Sequence, residues 1–296
     1  MFKSIPELVS QVKSGDFRDL ARALTLVEND LRGSAELLKT LKPSGSPVIG
    51  ITGPPGAGKS TLVNEIINHW SSRGESIAVL AVDPTSPFNM GSLLGDRIRM
   101  SEQFTKSNVF IRSIATRGSL GGLSAKTIEM TDVLGSAGFD YILIETVGVG
   151  QSEVEIAGLA DISIVVLVPE SGDEIQNIKS GLMEIADIFV VNKSDREGAD
   201  TFANNLKNLV HQKSVSIPVI KTTASRAEGI EDLMSAIENL RYKENRRKPF
   251  LLAEKAWKLI QQGRMKDIDK KQLEIDLSSE SGKPDFNLYS FIESRI

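Results

Sequence analysis

The stretch GPPGAGKST, Gly53–Thr61, limits what this chain can fold into more than any other part of it. It follows the β-branched run VIGIT and opens into LVNEIINHW, a segment of helical character. Glycines in a strand-to-helix turn let successive backbone N–H groups face one point, and the helix N-terminus adds positive potential there. The pattern G-x-x-x-x-G-K-[ST] in this setting is a phosphate-binding loop, which belongs to α/β folds built on parallel strands. Gly53, Pro54, Pro55, Gly56, Ala57 and Gly58 supply the cradle. Lys59 reaches the β- and γ-phosphates, Ser60 offers a hydroxyl to Mg²⁺, and Thr61 completes the motif. The chain is expected to bind a nucleoside triphosphate.

The rest of the pattern agrees. From Val48 onward, short apolar runs alternate with helix-length segments: VIGIT, IAVLAVD, VFIRSI, YILIET, ISIVVLV, IFVVNK and IPVIKT. Right-handed crossovers between such strands give a mainly parallel sheet covered by helices on both faces, with ligands at the carboxyl ends of the strands. The expected fold is an α/β P-loop NTPase with helical segments at either end. Residues 1–45 read as an N-terminal helical extension, with Leu20, Leu24, Val27, Leu31, Leu37, Leu38 and Leu41 at helical spacing before KPSGSP. Residues 46–242 form the nucleotide-binding domain and residues 243–296 a C-terminal helical segment. In the latter, RYKENRRK carries five basic residues in eight and reads as a solvated connector or helix face. Phe250, Leu251, Trp257 and Ile260 either pack back on the domain or meet a second copy.

The base is read from FVVNKSD, Phe189–Asp195. A carboxylate only accepts hydrogen bonds, and guanine offers it adjacent donors on N1 and N2, whereas adenine does not. Asp195 is thus the guanine reader, with Asn192 and the aliphatic stem of Lys193 bordering the base. Thr223, Ala224 and Ser225, in TTASRAEG, resemble the G-protein loop whose backbone N–H meets guanine O6. GTP is expected over ATP. In ILIETVGVGQSE, Glu145 ends a strand where a metal's water shell would lie, and Gly148 follows at the spacing of a γ-phosphate contact. Small GTPases carry a water-orienting glutamine after that glycine. Here the position is Val149, with Gln151 two residues on, so intrinsic hydrolysis is expected to be slow and accelerated by a partner. Asp83 and Asp96 are further metal candidates, Lys59, Glu145 and Asp96 the catalytic ones, and Arg97, Arg99, Arg112 and Arg117 candidate γ-phosphate contacts.

Composition excludes other classes. The net charge of -4 gives no basic surface for nucleic acid. Cysteine is absent, and His69 and His211 stand far apart in sequence, which removes thiol chemistry and the usual zinc patterns. No apolar run approaches the ~18 residues of a membrane span, and the N-terminus has no signal-peptide pattern, so a cytoplasmic protein is expected.

The chain resembles the MeaB/ArgK-type GTPases. The likeness runs through GDFRDLARALTLVEND, GPPGAGKSTL, AVDPTSPF, GSLLGDRIRM, VFIRSIATRGSLGGLS, ILIETVGVGQSEVEIAGLAD, GDEIQNIKSGLMEIADIFVVNKSD and TTASRAEGI, between residues 15 and 240. It implies a G-protein chaperone of adenosylcobalamin-dependent methylmalonyl-CoA mutase, or of a related acyl-CoA mutase, that gates cofactor loading and protects the mutase. It also implies GTP/GDP and Mg²⁺ as ligands, a homodimer, and a third switch around residues 171–181 with Asp173, Gln176 and Lys179. Three positions depart from the family pattern. Ser119 replaces a histidine, PFNMGS replaces PFTGGS, and the C-terminal segment matches little. An ATPase or kinase tied to lysine/arginine/ornithine transport, a metal-insertion GTPase, and a GTP-binding adaptor without turnover are the competing readings. The first is opposed by NKSD and the second by the missing cysteine and histidine clusters. The corrinoid-binding pattern D-x-H-x-x-G is absent, which would leave any corrinoid to the partner chain.

Overall fold

Seven strands pair in parallel to form one sheet: β1 (Val48–Thr52), β2 (Ile77–Asp83), β3 (Val109–Ala115), β4 (Tyr141–Glu145), β5 (Ile162–Leu167), β6 (Ile188–Val191) and β7 (Val219–Lys221). Their order is β3-β2-β4-β1-β5-β6-β7. This is a computed structural model, and it describes all residues except 1–3, 43–44, 84–99, 116–124, 147–155, 157, 171–181, 212–216, 242–247, 266, 294 and 296. Each strand foreseen in the sequence forms, within a residue or two at its ends. Strands buried on both faces read as unbroken aliphatic runs, and β4, β5 and β6 are buried at every position.

Successive residues on these strands feed opposite cores. Ile164, Val166, Ile188 and Val190 pack on one side with α4 (Lys59–Ser72) and α8 (Ile230–Arg241), through Leu62, Ile66, Trp70, Leu233 and Ile237. Val165, Leu167, Phe189 and Val191 pack on the other with α7 (Ala199–His211), through Phe202, Leu206 and Val210. Each such side chain contributes about 1.5–3 kcal/mol by leaving water. Trp70 stacks on Tyr141 with ring centroids 3.8 Å apart. The chain leaves β1 toward β2 and β4 on one side, and β5 to β7 extend the sheet on the other. β1 therefore lies at the point where the order reverses, which is where parallel sheets open a crevice for ligands.

At the amino ends of the strands, three aspartates repeat one device. Asp140 precedes β4, Asp161 precedes β5 and Asp187 precedes β6. The Oδ2 atoms of these residues accept the backbone N–H of Ser76 (2.8 Å), Val48 (2.9 Å) and Ser163 (2.8 Å) respectively, each at or beside the start of the neighbouring strand. Their own N–H groups donate back to Ser76 O, Val48 O and Ser163 O.

The N-terminal region, read from the sequence as a helical extension, forms three helices among its described residues, α1 (Ile5–Lys13), α2 (Phe17–Glu28) and α3 (Ser34–Thr40). Asp16 caps α2 by accepting the Asp19 N–H at 2.8 Å. The buried face of α2 (Leu20, Ala23, Leu24 and Val27) accompanies packing against α5 (Ala125–Gly135). Phe17 meets Phe110 edge-on, with centroids 5.4 Å apart. Arg112, considered above as a phosphate contact, instead turns its guanidinium to Glu28 Oε2 (2.5 Å) and Thr25 Oγ1 (3.3 Å). The arginine on β3 thus anchors the helical extension.

The chain divides into two units, residues 1–252 and 253–296. The first unit holds the sheet and also α6 (Leu182–Ile185). α9 (Lys248–Arg264) spans the division, and α10 (Lys270–Glu280) and α11 (Leu288–Glu293) follow. Within the second unit, Asp269 caps α10, and Arg295 pairs with Asp276 at 2.7 Å. Phe250, Trp257 and Ile260 are exposed, as are Ile275 and Tyr289. Among the described residues no helix is long and apolar enough to cross a membrane.

A pH effect arises below the sheet. Glu75 has its Oε2 buried without a hydrogen-bond partner among the described residues, and burial pushes its carboxyl upward. Arg73 and Arg241 oppose this, while Glu238 and Asp140 reinforce it. A carboxyl raised on folding gives stability that is complete below its unfolded value and lost as pH rises through the folded one. Glu75→Gln is therefore expected to raise the Tm near pH 8 and to have no effect near pH 4, where the native carboxyl is largely neutral as well. Thermal melts across that range check it, and a variant less stable than native at the higher pH would contradict it.

Candidate nucleotide-binding site

β1 ends at Thr52 and the chain turns at Gly53 with φ +142°. A Cβ there would lie 2.0 Å from the Val166 carbonyl oxygen on β5, so only glycine lets the loop cross its neighbouring strand. At Gly58, φ is +85° and a Cβ would come within 2.4 Å of Asn192 Nδ2. The loop then enters α4. Lys59, only 6% exposed, donates from Nζ to Gly53 O (2.9 Å) and Pro54 O (3.0 Å), which folds its ammonium back along Gly53–Gly58.

Ser60 Oγ donates to Glu145 Oε1 at 2.7 Å. Glu145 is 7% exposed and stands at the end of β4, paired in register with Ile51 of β1 and Ala81 of β2. Asp83 ends β2, two positions beyond Ala81. Beside them Thr146 donates its hydroxyl to Thr52 Oγ1 at 2.9 Å, joining the ends of β4 and β1.

The other half of the site follows β6. Asn192 is 2% exposed. Its Nδ2 donates to Ala57 O at 2.8 Å, and its Oδ1 accepts from Thr222 Oγ1 (3.0 Å) and the Ala224 N–H (3.2 Å). One amide thus joins the phosphate loop, the end of β6 and the turn after β7. Lys193 takes a left-handed backbone, φ +55°, and sends Nζ to Gly56 O at 2.6 Å, which lays its stem toward the loop. Ser194 bonds Thr222 O through its N–H (3.0 Å) and lies 3.1 Å from Thr223 Oγ1 through its hydroxyl. Thr223 and Ala224 are buried, whereas Ser225 is exposed in the short 3₁₀ turn Ala224–Arg226. Asp195 faces Arg226, and Arg196 bonds Glu170.

Gly53–Thr61, Glu145, Asn192–Asp195 and Thr223–Arg226 are therefore linked across one end of the sheet by named hydrogen bonds and the Asp195–Arg226 ion pair. Asp96, Gly148, Asp173, Gln176 and Lys179 lie outside the described residues, as do Ser119, Val149, Gln151, Arg97, Arg99 and Arg117. Sequence reasoning missed Thr222 and Arg226. The doubled threonine of TTAS was the available sign of the first, and nothing local marks the second. His69 sits between α4 and α8, its Nδ1 3.3 Å from Glu231 Oε1, and serves as a helix brace. Among the described residues no group of three or more His, Asp or Glu side chains is arranged to hold a metal on its own.

The profile of the methylmalonyl-CoA mutase-associated GTPase MeaB matches residues 20–269. The chain belongs to the MeaB family. A Pyrococcus abyssi protein named as a GTPase is 48% identical over 261 residues, covering 82% of this chain and 81% of that protein. The mouse mitochondrial methylmalonic aciduria type A homolog is 36% identical over 262 residues, covering 80% and 63%. The crystal structure of an LAO/AO transport system kinase aligns with a TM-score of 0.71 over 96% of this chain and 95% of that one. At 23% identity that likeness speaks for the fold, a P-loop NTPase sheet. As a MeaB-family protein the chain is a GTPase, and the ligand of its phosphate loop is a guanine nucleotide.

Proposed function

We propose that this MeaB-family GTPase is a nucleotide-gated chaperone of an adenosylcobalamin-dependent methylmalonyl-CoA mutase, or of a related acyl-CoA mutase, controlling cofactor loading and protecting the partner. The match of residues 20–269 to a family named for that mutase carries the reading. The corrinoid belongs to the mutase. The working molecule is a cytoplasmic homodimer joined through residues 243–296, with residues 46–242 as the G domain and residues 1–45 as its helical extension.

The site supplies the parts of such a switch. The loop of residues 53–58 wraps the phosphates, with the backbone N–H groups of Gly53, Gly56, Ala57 and Gly58 and those of Lys59, Ser60 and Thr61 as donors and Pro54 and Pro55, which have no N–H, shaping the turn; Lys59 moves from its carbonyl partners to the β- and γ-oxygens. Ser60 Oγ and Glu145 Oε1, 2.7 Å apart, are hard oxygen donors of the kind Mg²⁺ takes, and they would hold the ion directly or through water, together with Asp83 and Asp96. When bound, Mg²⁺ neutralises charge on the β- and γ-phosphates. Asp195 accepts from guanine N1 and N2, the Lys193 stem flanks the base, and the Thr223–Ser225 turn meets O6. Asn192 holds these parts in register. Gly148 senses the γ-phosphate, and Asp173, Gln176 and Lys179 report it to the partner. With Val149 where small GTPases keep glutamine, chemistry waits on a group that the partner contributes or orders.

The test is calorimetric titration with GDP and ADP in Mg²⁺ for the native protein and Asp195→Asn, followed by GTP turnover with and without the mutase. GDP selectivity is expected to weaken roughly 5- to 150-fold in the variant, the equivalent of ~1–3 kcal/mol for a buried polar group left unpaired. Turnover is expected to rise when the mutase is added. Equal ADP binding removes the guanine assignment, and GTP turnover indifferent to the mutase removes the partner.

A further inference from the structure

We propose that Arg226 is a positioning residue for guanine selectivity, holding Asp195 in the orientation that presents both carboxylate oxygens to the base. The inference rests on the reading of Asp195 as the guanine acceptor. It begins from a distance: Arg226 Nη2 lies 3.7 Å from Asp195 Oδ2. That is too long for a hydrogen bond and short enough for a modest Coulomb attraction. The guanidinium attracts the carboxylate without occupying its lone pairs. The two oxygens are left to accept from guanine, which has two adjacent donors to offer.

The arginine is delivered by a stiff turn. Its N–H donates to Thr223 O at 2.8 Å, and Ala227 follows in a left-handed conformation with φ +55°. Thr223 and Glu228 close the turn with a two-residue bridge, Thr223 N–H to Glu228 O at 3.1 Å and Glu228 N–H to Thr223 O at 3.3 Å. Asn192 fixes the same turn from below through the Ala224 N–H. The charge over Asp195 is therefore tied to the element that also faces guanine O6, so one turn serves two edges of the base.

Exposure sets the scale. The Asp195 side chain is 35% exposed and that of Arg226 61%, and water and salt weaken a pair of this kind. The pair gains strength when a base covers the carboxylate and lowers the local dielectric, so its effect is felt in the bound state. Removing the cation leaves Asp195 charged but free to rotate, and a rotated carboxylate meets N1–H while losing the 2-amino donors.

The ratio of GDP to IDP affinity reads this, because hypoxanthine keeps N1–H and lacks the 2-amino group. Arg226→Ala is expected to lower that ratio about three- to fivefold while leaving IDP affinity unchanged. Arg226→Lys keeps the charge and is expected to restore most of it. In the native protein, raising salt from about 0.05 to 0.5 M is expected to lower the ratio, and in Arg226→Ala to leave it alone. An unchanged ratio in Arg226→Ala, a proportional loss of both nucleotides, or a lysine variant as poor as the alanine one overturns the proposal. Asp195→Asn separates the two levels. If it leaves the GDP-to-IDP ratio intact, the guanine reading fails. If it abolishes the ratio while Arg226→Ala does not, only the role of Arg226 fails.

Discussion

Gly53→Ala is expected to cost the protein its nucleotide, with GDP affinity falling more than about 100-fold, and to lower folding stability by roughly 3 kcal/mol. Both effects have one origin. The added methyl carbon would sit 2.0 Å from the Val166 carbonyl oxygen, and Val166 lies in the wholly buried β5. The strand cannot yield without repacking both cores, so the loop must lift. Lifting it withdraws the Gly53 and Pro54 carbonyls that hold Lys59 and shifts the N-terminus of α4. Calorimetry and a denaturant midpoint check the two parts separately. Binding within about threefold of native would show that the loop tolerates a different path.

The second large effect is expected at Asn192. Truncation to alanine leaves Ala57 O, the Thr222 hydroxyl and the Ala224 N–H without the partner that now serves all three in a buried setting. Each orphaned group costs about 1–3 kcal/mol, so the loss lies between modest destabilisation and unfolding. The informative result is its distribution. Because the amide ties the phosphate loop to the base-reading turn, Asn192→Ala is expected to weaken GDP and inorganic pyrophosphate alike. Asp195→Asn is expected to weaken GDP alone. An alanine variant that binds pyrophosphate as the native protein does would mean that the phosphate loop keeps its shape unaided.

Much of the architecture was legible in the residues. β5 and β6 announced themselves as aliphatic runs because both faces are buried, and Gly53–Thr61 placed the loop between β1 and α4 without ambiguity. What escaped was information carried between distant positions. Arg112 resembled any cation near a phosphate site, and only the fold brings Glu28 and Thr25 against it. Asn192 was read as bordering the base, and the three protein groups that engage its amide, at sequence separations of up to 135 residues, were not foreseen. The helical character of residues 1–45 was legible, but its division into α1, α2 and α3, near Gly15 and Gly33 at positive φ, was not drawn from the spacing. Sequence periodicity reports which face is apolar. It does not report which polar atom on another element will meet a given side chain.

The aspartates ahead of β4, β5 and β6 supply something the strands themselves lack. In a sheet with one wet face, a slip of one residue turns apolar side chains toward water and is punished at once. A strand such as ISIVVL, buried on both sides, carries no such safeguard, for its alternate faces are almost equally greasy. Asp140, Asp161 and Asp187 act as stops against sliding, since each clasps a single backbone position on the next strand over. A slip of β6 by one residue would displace Asn192 by about 3.3 Å along the strand and break its 2.8 Å bond to Ala57 O. The alignment of the nucleotide site at one end of the sheet is thereby set by carboxylates at the other.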